Sequence, residues 1–382
     1  MNVPKLRFKE FNEELNTFKI KDTGNVITGM TPSTADKENY GTEYLWVSPG
    51  DMGYSKYIAN TKTKLSLKGF NKTRQLPDNS ILVTCIGSTI GKMGMSNSTL
   101  STNQQINSII PTKIFNPNYL YYCINYNFPK FLNKISFQAV PIISKSEFEK
   151  LEIKCTPNLS EQEKIGNILD LLDKKIELQS KKIEDLKLFK LYTKDQIFKD
   201  YDESFKLKDI LVKWNKKNKN NSVKYVESIS NKYGFISQSD QFEDRNVASK
   251  DLNNYYIIEK GVFGYNPSRL NVGSLALKTN DKVSVVSPLY ECFTTSQNNQ
   301  YLLEWFDSKY FRKETISKFE GGVRNTLNFS NLCEIEIGLP TIEKQNMYSR
   351  IFKIFNNKIE FEVKKLYKLQ ELKKGLMQNM FV

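Results

Sequence analysis

Apolar residues follow a helical period in two long stretches of the chain. In residues 157–198 and again in residues 340–381, apolar side chains recur every three or four residues, in two interleaved seven-residue series. This spacing is typical of a helix that buries one seam against a second helix. We therefore predict two helices of about 39 residues, each roughly 58 Å long. Ser160 is predicted as the N-cap of the first helix, with Glu163 at the capping-box position.

The two stretches are copies of each other. Aligned without gaps, 183 residues apart, they share eleven identities. These are Pro157/Pro340, Gln162/Gln345, Ile168/Ile351, Lys175/Lys358, Ile176/Ile359, Glu177/Glu360, Lys181/Lys364, Lys182/Lys365, Leu186/Leu369, Lys190/Lys373 and Phe198/Phe381. The repeat predicts a chain built as two halves, each a globular segment followed by one long helix.

The two helices are natural partners for one another, and we expect them to pair as an antiparallel coiled coil. The predicted seam comprises Ile165, Leu169, Leu172, Ile176, Ile183, Leu186, Phe352, Phe355, Ile359, Leu366 and Leu369. Polar residues interrupt it at the equivalent positions Gln179/Glu362 and Lys190/Lys373. Two interpretations stay open for these positions: edge residues that face solvent, or residues that set the register or contact another subunit's helices.

The remaining segments indicate an α+β fold of strands, polar loops and short helices. The predicted organisation is 1–157 globular, 158–199 helix, 200–339 globular and 340–382 helix. Helices are predicted over 118–126 and 300–317. Strands are predicted over 81–87, 106–111, 255–265, 274–279, 282–293 and 334–340.

Charge and composition favour nucleic acid as a partner without deciding the matter. The formal net charge is +14, of which residues 1–157 carry +7 and residues 340–382 carry +5. Such a balance suits phosphate neutralisation. No apolar run reaches membrane-spanning length, the N-terminus is too polar for a secretory signal, and five scattered cysteines without histidine make a zinc site or disulfide framework unfavourable. We expect a cytoplasmic protein with reduced thiols and no metal.

The stretches that look like catalytic motifs are incomplete. The stretch 87–93 (GSTIGKM) has three residues between its glycines where a phosphate-binding loop needs four. Asn266-Pro267-Ser268-Arg269 and Asn116-Pro117-Asn118-Tyr119 each lack part of the adenine methyltransferase motif. Because the chain has no histidine, Ser-His and Cys-His dyads are excluded. The prediction is a chain without catalytic residues.

Several loops mix basic side chains with amides and hydroxyls, the groups that contact phosphates and base edges. For any one loop a solvated polar turn is the favoured interpretation, but the recurrence of such loops in both halves favours a bipartite reader of duplex DNA. The candidate DNA-binding residues are Lys72, Thr73, Arg74, Ser88, Thr89, Lys92, Thr102, Asn103, Gln104, Gln105, Gln138, Arg245, Asn246, Tyr265, Asn266, Ser268, Arg269, Asn271, Gly322, Arg324 and Asn325.

With these motifs in view, the chain resembles the specificity subunits of type I restriction-modification enzymes. The resemblance is carried by P-x-L-x-E-Q-x-K-I-x-x-I-L-x-x-L-D-x-x-I over 157–176 and by its looser second copy. Shorter matching pieces are F-K-I-K-D at 18–22, G-M-T-P-S at 29–33, Y-L-W-V-S-P-G-D at 44–51, S-I-L-V-T-C-I-G-S-T-I-G-K at 80–92, N-Q-Q-I-N at 103–107, Y-N-P-S-R-L-N-V-G-S at 265–274 and G-G-V-R-N-T-L-N-F at 321–329.

The resemblance implies that each globular segment is a target recognition domain for one half of a split, asymmetric DNA site, and that the coiled coil sets the spacer. It also implies two methyltransferase subunits and two restriction subunits as partners. Those partners would bind S-adenosylmethionine and ATP with Mg²⁺, while this chain binds no cofactor. The second helix departs from the pattern at Lys344-Gln345 and Asn356-Asn357, and residues 211–222 lack the G-x-T-P of the first half.

Two other interpretations stay open at this point. The first is a coiled-coil scaffold that binds protein only, which predicts no salt-dependent DNA affinity. The second is a single-chain methyltransferase or endonuclease, which the incomplete cofactor motifs disfavour.

Overall fold

The computed structural model describes residues 3–53, 55–133, 141–231, 233–237, 251–272, 274–316 and 326–382. The chain divides into two compact units. Unit 1 comprises Met1–Lys182 together with Glu362–Val382, and unit 2 comprises Ile183–Phe361. Each long helix therefore contributes residues to both units.

Unit 1 surrounds a mixed set of strands with helices. Its helices are α1 (Ile20–Thr23), α2 (Leu67–Phe70), α3 (Pro117–Leu132), α4 (Lys145–Lys150) and the first part of α5 (Leu159–Ile197). Its strands are β1 (Asn16–Lys19), β2 (Gly24–Thr28), β3 (Tyr40–Gly41), β4 (Tyr44–Val47), β5 (Tyr57–Ile58), β6 (Lys64–Leu65), β7 (Gln75–Leu76), β8 (Ile81–Thr84), β9 (Met93–Ser96), β10 (Leu100–Thr102), β11 (Ile106–Pro111) and β12 (Glu152–Cys155).

Two five-stranded sheets form the framework of unit 1. Their strand orders are β2-β11-β8-β9-β5 and β3-β6-β4-β10-β7, and β1 pairs separately with β12. All four residues of β8, the stretch Ile-Leu-Val-Thr, are buried, as expected for a central strand covered on both faces. Helix α3 adds Tyr119, Tyr122 and Phe128 to the core on one side of this strand's sheet.

Unit 2 follows the same plan with other sequences. Its helices are the last part of α5, α6 (Asn299–Phe306), α7 (Lys309–Ile316), α8 (Phe329–Cys333) and the first half of α9 (Ile342–Met380). Its strands are β13 (Glu203–Lys206), β14 (Leu211–Lys213), β15 (Glu227–Ser230), β16 (Gly234–Ser237), β17 (Tyr256–Ile258), β18 (Phe263–Tyr265), β19 (Leu275–Leu277), β20 (Ser284–Val286), β21 (Glu291–Thr295) and β22 (Glu336–Leu339).

The two units share a four-stranded core. The order β2-β11-β8-β9 in unit 1 corresponds to β14-β21-β18-β19 in unit 2, and every neighbouring pair is antiparallel. The pair β1/β12 likewise corresponds to β13/β22. The predicted α+β class with an internal repeat is confirmed, although the repeat is recognisable in the sequence of the helices alone.

The long helices have the predicted length, because α5 and α9 each contain 39 residues. The predicted N-cap of α5 is wrong. The helix begins at Leu159, and the side chain of Asn158, not Ser160, accepts the Glu161 N–H at 3.2 Å. One predicted helix is also divided: α6 ends at Phe306 and α7 begins at Lys309, where the Ser308 hydroxyl accepts the Phe311 N–H at 3.3 Å.

The helices run antiparallel within each unit. In unit 1, Gln179 contacts Glu362 and Asp173 contacts Lys373; in unit 2, the ring of Phe189 meets that of Phe355. All eleven predicted seam residues are buried or half-buried. Three of them pack chiefly into the globular cores, namely Ile165, Leu169 and Phe352.

Candidate nucleic-acid interface

Two of the predicted DNA-binding loops of unit 1 meet the loop that follows β2 at one end of the sheets of this unit. Strand β7 pairs with β10, which places Arg74 beside the segment that follows Thr102. The loop after β2 lies against the same segment, because the Met30 N–H donates to the Thr102 carbonyl at 2.8 Å. The Thr31 hydroxyl donates to the Gln104 side-chain oxygen. The structure thus brings Arg74 and Gln104 together on one exposed surface.

Sequence reasoning did not select three side chains of this surface: Met30, Thr31 and Trp46. Met30 is exposed, and the half-buried Trp46 donates its indole N–H to the Met30 carbonyl at 3.1 Å. The G-M-T-P-S stretch at 29–33 contained the signal for two of them. We call Met30, Thr31, Trp46, Arg74 and Gln104 the reading surface of unit 1.

Gly29 makes the close approach of this loop possible. A Cβ atom built on it would lie 2.0 Å from the Asn103 carbonyl oxygen and 2.4 Å from the Thr102 hydroxyl. Its N–H donates to the Ile106 carbonyl at 3.0 Å, so the backbone is also fixed. The close approach of these two backbone segments therefore requires a residue without a Cβ atom at position 29.

We expect Gly29→Ala to displace the 29–31 loop and to weaken sequence-specific DNA binding about tenfold or more, because the clash is with backbone that cannot move away cheaply. Gly50→Ala is the matched control, since the nearest atom to a Cβ there lies 3.8 Å away. The affinity of each variant for a duplex that carries the recognised site measures both effects. Equal affinities of the two variants would contradict this role of Gly29.

The loop 86–92 lies next to this surface. The Gln105 amide donates to the Ile86 carbonyl at 3.4 Å, and the turn uses positive φ angles of 98° at Gly87 and 90° at Gly91. Ser88 is exposed and Thr89 is half-buried, so both hydroxyls are near solvent. Lys92 instead lines a cleft of about 430 Å³ against Tyr57 and Asp170.

Several candidates are not available for contact in this structure. Thr102 and Asn103 are buried, and Tyr265 lies in the core of unit 2 with its hydroxyl enclosed, where burial raises its pKa well above the usual value. Lys72 is exposed, but its ammonium contacts Asp36 at 3.1 Å and Asn39 at 2.8 Å. Gln138, Arg245, Asn246, Gly322, Arg324, Asn325 and the side chain of Asn271 lie outside the described residues.

Unit 2 presents the equivalent loop between β18 and β19. The Asn266 side chain accepts the Ser268 N–H at 3.0 Å, and a 3-10 helix spans Pro267–Val272. Ser268 and Arg269 are exposed. This loop occupies the same place in the strand order as the loop 86–92 of unit 1. Both halves therefore present a polar loop from one shared position.

The glutamine shared by both helix copies joins each helix to its globular domain. Gln162 accepts the Asn116 N–H at 2.7 Å and donates to the Thr156 carbonyl at 2.9 Å. Gln345 accepts the Asn298 N–H at 3.1 Å and donates to the Pro340 carbonyl at 2.9 Å. Because Asn116 and Asn298 cap helices α3 and α6, the same device orients a helix in each unit.

Where the first helix copy has Glu161, the second has Lys344, and both residues form an ion pair, but with opposite charges on the helix residue. Glu161 is buried and accepts both arms of the Arg7 guanidinium, each at 2.7 Å. Lys344 instead lies 3.3 Å from Asp200 and from Asp202. In each copy the helix residue at this position thus forms an ion pair with a residue that precedes the first strand of its unit.

A buried lysine ties unit 1 to its long helix. The Lys56 ammonium lies 2.7 Å from the Asp170 carboxylate and 2.6 Å from the Asn118 side-chain oxygen, and it lies within 4.6–5.3 Å of the centres of three tyrosine rings. Burial raises the pKa of Asp170, but the hydrogen bonds from Lys56 and Lys174 outweigh burial and leave that pKa lowered.

The polar seam positions are not solvated edges. The buried Gln179 amide donates to the Glu362 carboxylate at 2.8 Å, and these two residues occupy equivalent positions in the repeat. Lys190 contacts Asn356 at 2.7 Å, and Lys373 contacts the equivalent Asp173 at 2.5 Å. The contacts support the interpretation that these residues set the register of the helix pair.

Within the described residues, no group of three or more His, Cys, Asp or Glu side chains is placed to hold a metal ion. No helix in that part of the chain is long and apolar enough to cross a membrane. All five cysteines are free; four are buried, and Cys333 is half-buried.

Comparison with known proteins matches these features to one family. Residues 12–188 match the Type I restriction modification DNA specificity domain. The Type I restriction enzyme HindI specificity subunit of Haemophilus influenzae is 34% identical over 139 residues, which is 35% of this chain and 30% of that protein. The MjaIX specificity subunit of Methanocaldococcus jannaschii is 32% identical over 189 residues, 48% of this chain and 42% of that protein. The matches thus span less than half the length of these curated relatives.

The similarity to a solved structure extends over the whole chain. The crystal structure of a type I restriction-modification S subunit from M. genitalium has a TM-score of 0.65 at 15% identity, and the match covers 100% of this chain and 99% of that one. The residues that carry the matched helix motif, Gln162 and Glu161, are those that fix the helix to the domain here. By sequence, residues 12–188 are therefore similar to the type I restriction modification DNA specificity domain, and the fold of the whole chain is similar to that of a solved type I S subunit.

Proposed function

We propose that this chain is the DNA-recognition subunit of a type I restriction-modification complex and reads an asymmetric, split site, one half per globular domain. The observation that carries the proposal is that the two units share one strand order but differ in the sequences of their loops. The frame β2-β11-β8-β9 recurs as β14-β21-β18-β19, while the loops at its end share little sequence. A common frame with divergent polar loops suits two readers of two different sequences.

In this proposal the chemistry belongs to partner subunits. Two methyltransferase subunits would bind S-adenosylmethionine and modify adenine N6, and two restriction subunits would use ATP and Mg²⁺. The chain would act in the cytoplasm, where the genomic DNA is, as a non-catalytic component. Its net charge of +14 supports binding to DNA phosphates.

The proposed docking site for the methyltransferase subunits is a second stripe on each long helix. In unit 1 it consists of Ile168, Leu171, Lys175 and Leu178, spaced three, four and three residues apart, which places them on one helix face. The two leucines are each 68% exposed. We call this face stripe 1. Large apolar side chains left exposed at heptad spacing are typical of a seam for another helix.

The same stripe recurs in unit 2 as Ile351, Ile354, Lys358 and Phe361, which we call stripe 2. Every apolar position is apolar again, and both the first isoleucine and the lysine are identical. Ile354 is 68% exposed and Phe361 is 61% exposed. Since five of the six apolar side chains of the two stripes are exposed, their repetition supports one partner bound in two copies.

We expect Leu178→Glu to remove one methyltransferase subunit and Phe361→Glu to remove the other, because a carboxylate in an apolar seam cannot be desolvated cheaply. Native mass spectrometry of the co-expressed complex measures the stoichiometry. Leu188→Glu is the matched control: Leu188 is 59% exposed, lies off the stripe, and its counterpart in the repeat is Glu371. Two bound copies in both stripe variants would contradict the proposal.

Sequencing of modified adenines in cells that express this chain with its methyltransferase subunit tests the proposed function. A single bipartite motif that appears only when the chain is present supports it. A protein-only scaffold predicts no motif and no DNA affinity that falls with salt.

A further inference from the structure

Arg74 differs from the other cations of unit 1 in how it is held. Its side chain is exposed, and one guanidinium nitrogen, Nη1, donates to the Thr28 carbonyl at 2.7 Å. Among the described residues Thr28 is its one hydrogen-bond partner, and no carboxylate neutralises it. The edge formed by Nε and Nη2 therefore keeps two parallel N–H donors for a ligand.

The carbonyl that holds Arg74 is itself rigid. Thr28 ends β2, where it pairs with Asn107 of β11, and its hydroxyl donates to the Asn107 side chain at 2.7 Å. The following residue, Gly29, is fixed by its hydrogen bond to Ile106. A guanidinium anchored to such a point loses less freedom on binding than a lysine on a flexible stem.

The other arginine of this unit and two of its lysines already contact carboxylates of the chain. Unit 1 contains two arginines, and the other, Arg7, is paired with Glu161. Lys72 contacts Asp36 and Asn39, and Lys68 contacts Glu38 at 2.5 Å and Asp36 at 3.2 Å. On the reading surface, Arg74 is the planar cation whose donors remain open among the described residues.

We propose that Arg74 is a specificity-determining residue that reads one guanine of the half-site bound by unit 1, through paired hydrogen bonds to the O6 and N7 acceptors of that base in the major groove. Two parallel donors match two acceptors on one base edge, which is the commonest specific contact between arginine and DNA. The side-chain oxygen of the neighbouring Gln104 accepts a hydrogen bond from Thr31, and within the described parts of the chain its NH₂ group stays available as a donor for an adjacent acceptor. The inference rests on the proposed function.

The test compares Arg74→Lys and Arg74→Ala in cells that express the full chain with its methyltransferase subunit. The bases around every modified adenine are determined by sequencing. Lysine keeps the positive charge but lacks the two parallel N–H donors of the guanidinium. If Arg74 reads a guanine, both variants should lose discrimination at one G·C pair by roughly ten- to a hundredfold. The second half-site should be unchanged.

Two controls make the outcomes separable. Lys113→Ala removes one exposed positive charge beyond the far end of β11 and should leave the motif unchanged. Arg269→Ala should alter only the half-site of unit 2. A wild-type motif with Arg74→Lys, or a uniform loss of modification without relaxation of any base, would overturn the guanine assignment and mark a phosphate contact. Absence of any motif with the wild-type chain would instead overturn the proposed function.

Discussion

Asp170→Ala should lower the free energy of unfolding of unit 1 by about 3–5 kcal/mol, because it leaves a buried ammonium without its counter-charge. Lys56 and Asp170 have side chains only 4% and 9% exposed, so water does not replace the lost partner. The tyrosine rings around Lys56 add attraction but no full negative charge. No comparable loss is expected from an exposed ion pair on the same helix.

The measurement is hydrogen exchange of amides in α3 and α5, followed by mass spectrometry. Unit 1 peptides should lose protection, while unit 2 peptides provide an internal reference. Lys174→Ala is the matched control: it removes the other cation at 2.9 Å from Asp170, but Lys174 is 60% exposed, so a change within about 1 kcal/mol is expected. Equal effects of the two substitutions would show that burial of Lys56 does not matter.

The pH dependence of this difference has a defined sign. The folded state holds the pKa of Asp170 below its ordinary value of 3.8, so the carboxylate contributes stability at every pH above that value. The contribution is lost as pH falls through the lowered pKa. The gap between wild type and Asp170→Ala should therefore shrink as pH falls below about 4.

The helices were predictable because their pattern is long and locally determined. Apolar residues that recur about every 3.6 residues over a long stretch indicate an α-helix, and the proline before each copy marks where the helix starts. The cap was harder to predict, since asparagine and serine are both residue types that cap helices and Asn158 and Ser160 lie two residues apart.

Contacts between remote segments could not be derived from the sequence. The partners of Gln162 are backbone groups at Asn116 and Thr156, and nothing in their sequence marks them. Tyr265 was misplaced for a related reason: it adjoins a polar loop, but it ends β18 with its ring inside the core. Of the candidate loops, the sequence identified the polar residues, whereas strand pairing determined which of them meet.

Matched insertions of seven residues after Lys182 in α5 and after Phe361 in α9 should abolish modification at the original sites and lengthen the spacer by about three base pairs. A heptad preserves the seam on both sides of the insertion and adds roughly 10.5 Å of helix. At about 3.4 Å per base pair, that length corresponds to three base pairs. Neither half-site sequence should change, because no residue of either domain is altered.

The rotation of one half-site relative to the other about the DNA axis should also affect the rate of modification. Three base pairs turn the DNA by roughly a third of a turn, whereas a heptad turns the helix pair only slightly, so modification at the new spacing should be slow. Matched insertions of 21 residues add about 31 Å, or about nine base pairs, which is close to one turn of the duplex. They should restore much of the rate. Five-residue insertions rotate the seam out of contact and should give no motif. An unchanged spacer with seven inserted residues would show that the helices do not set the distance between the half-sites.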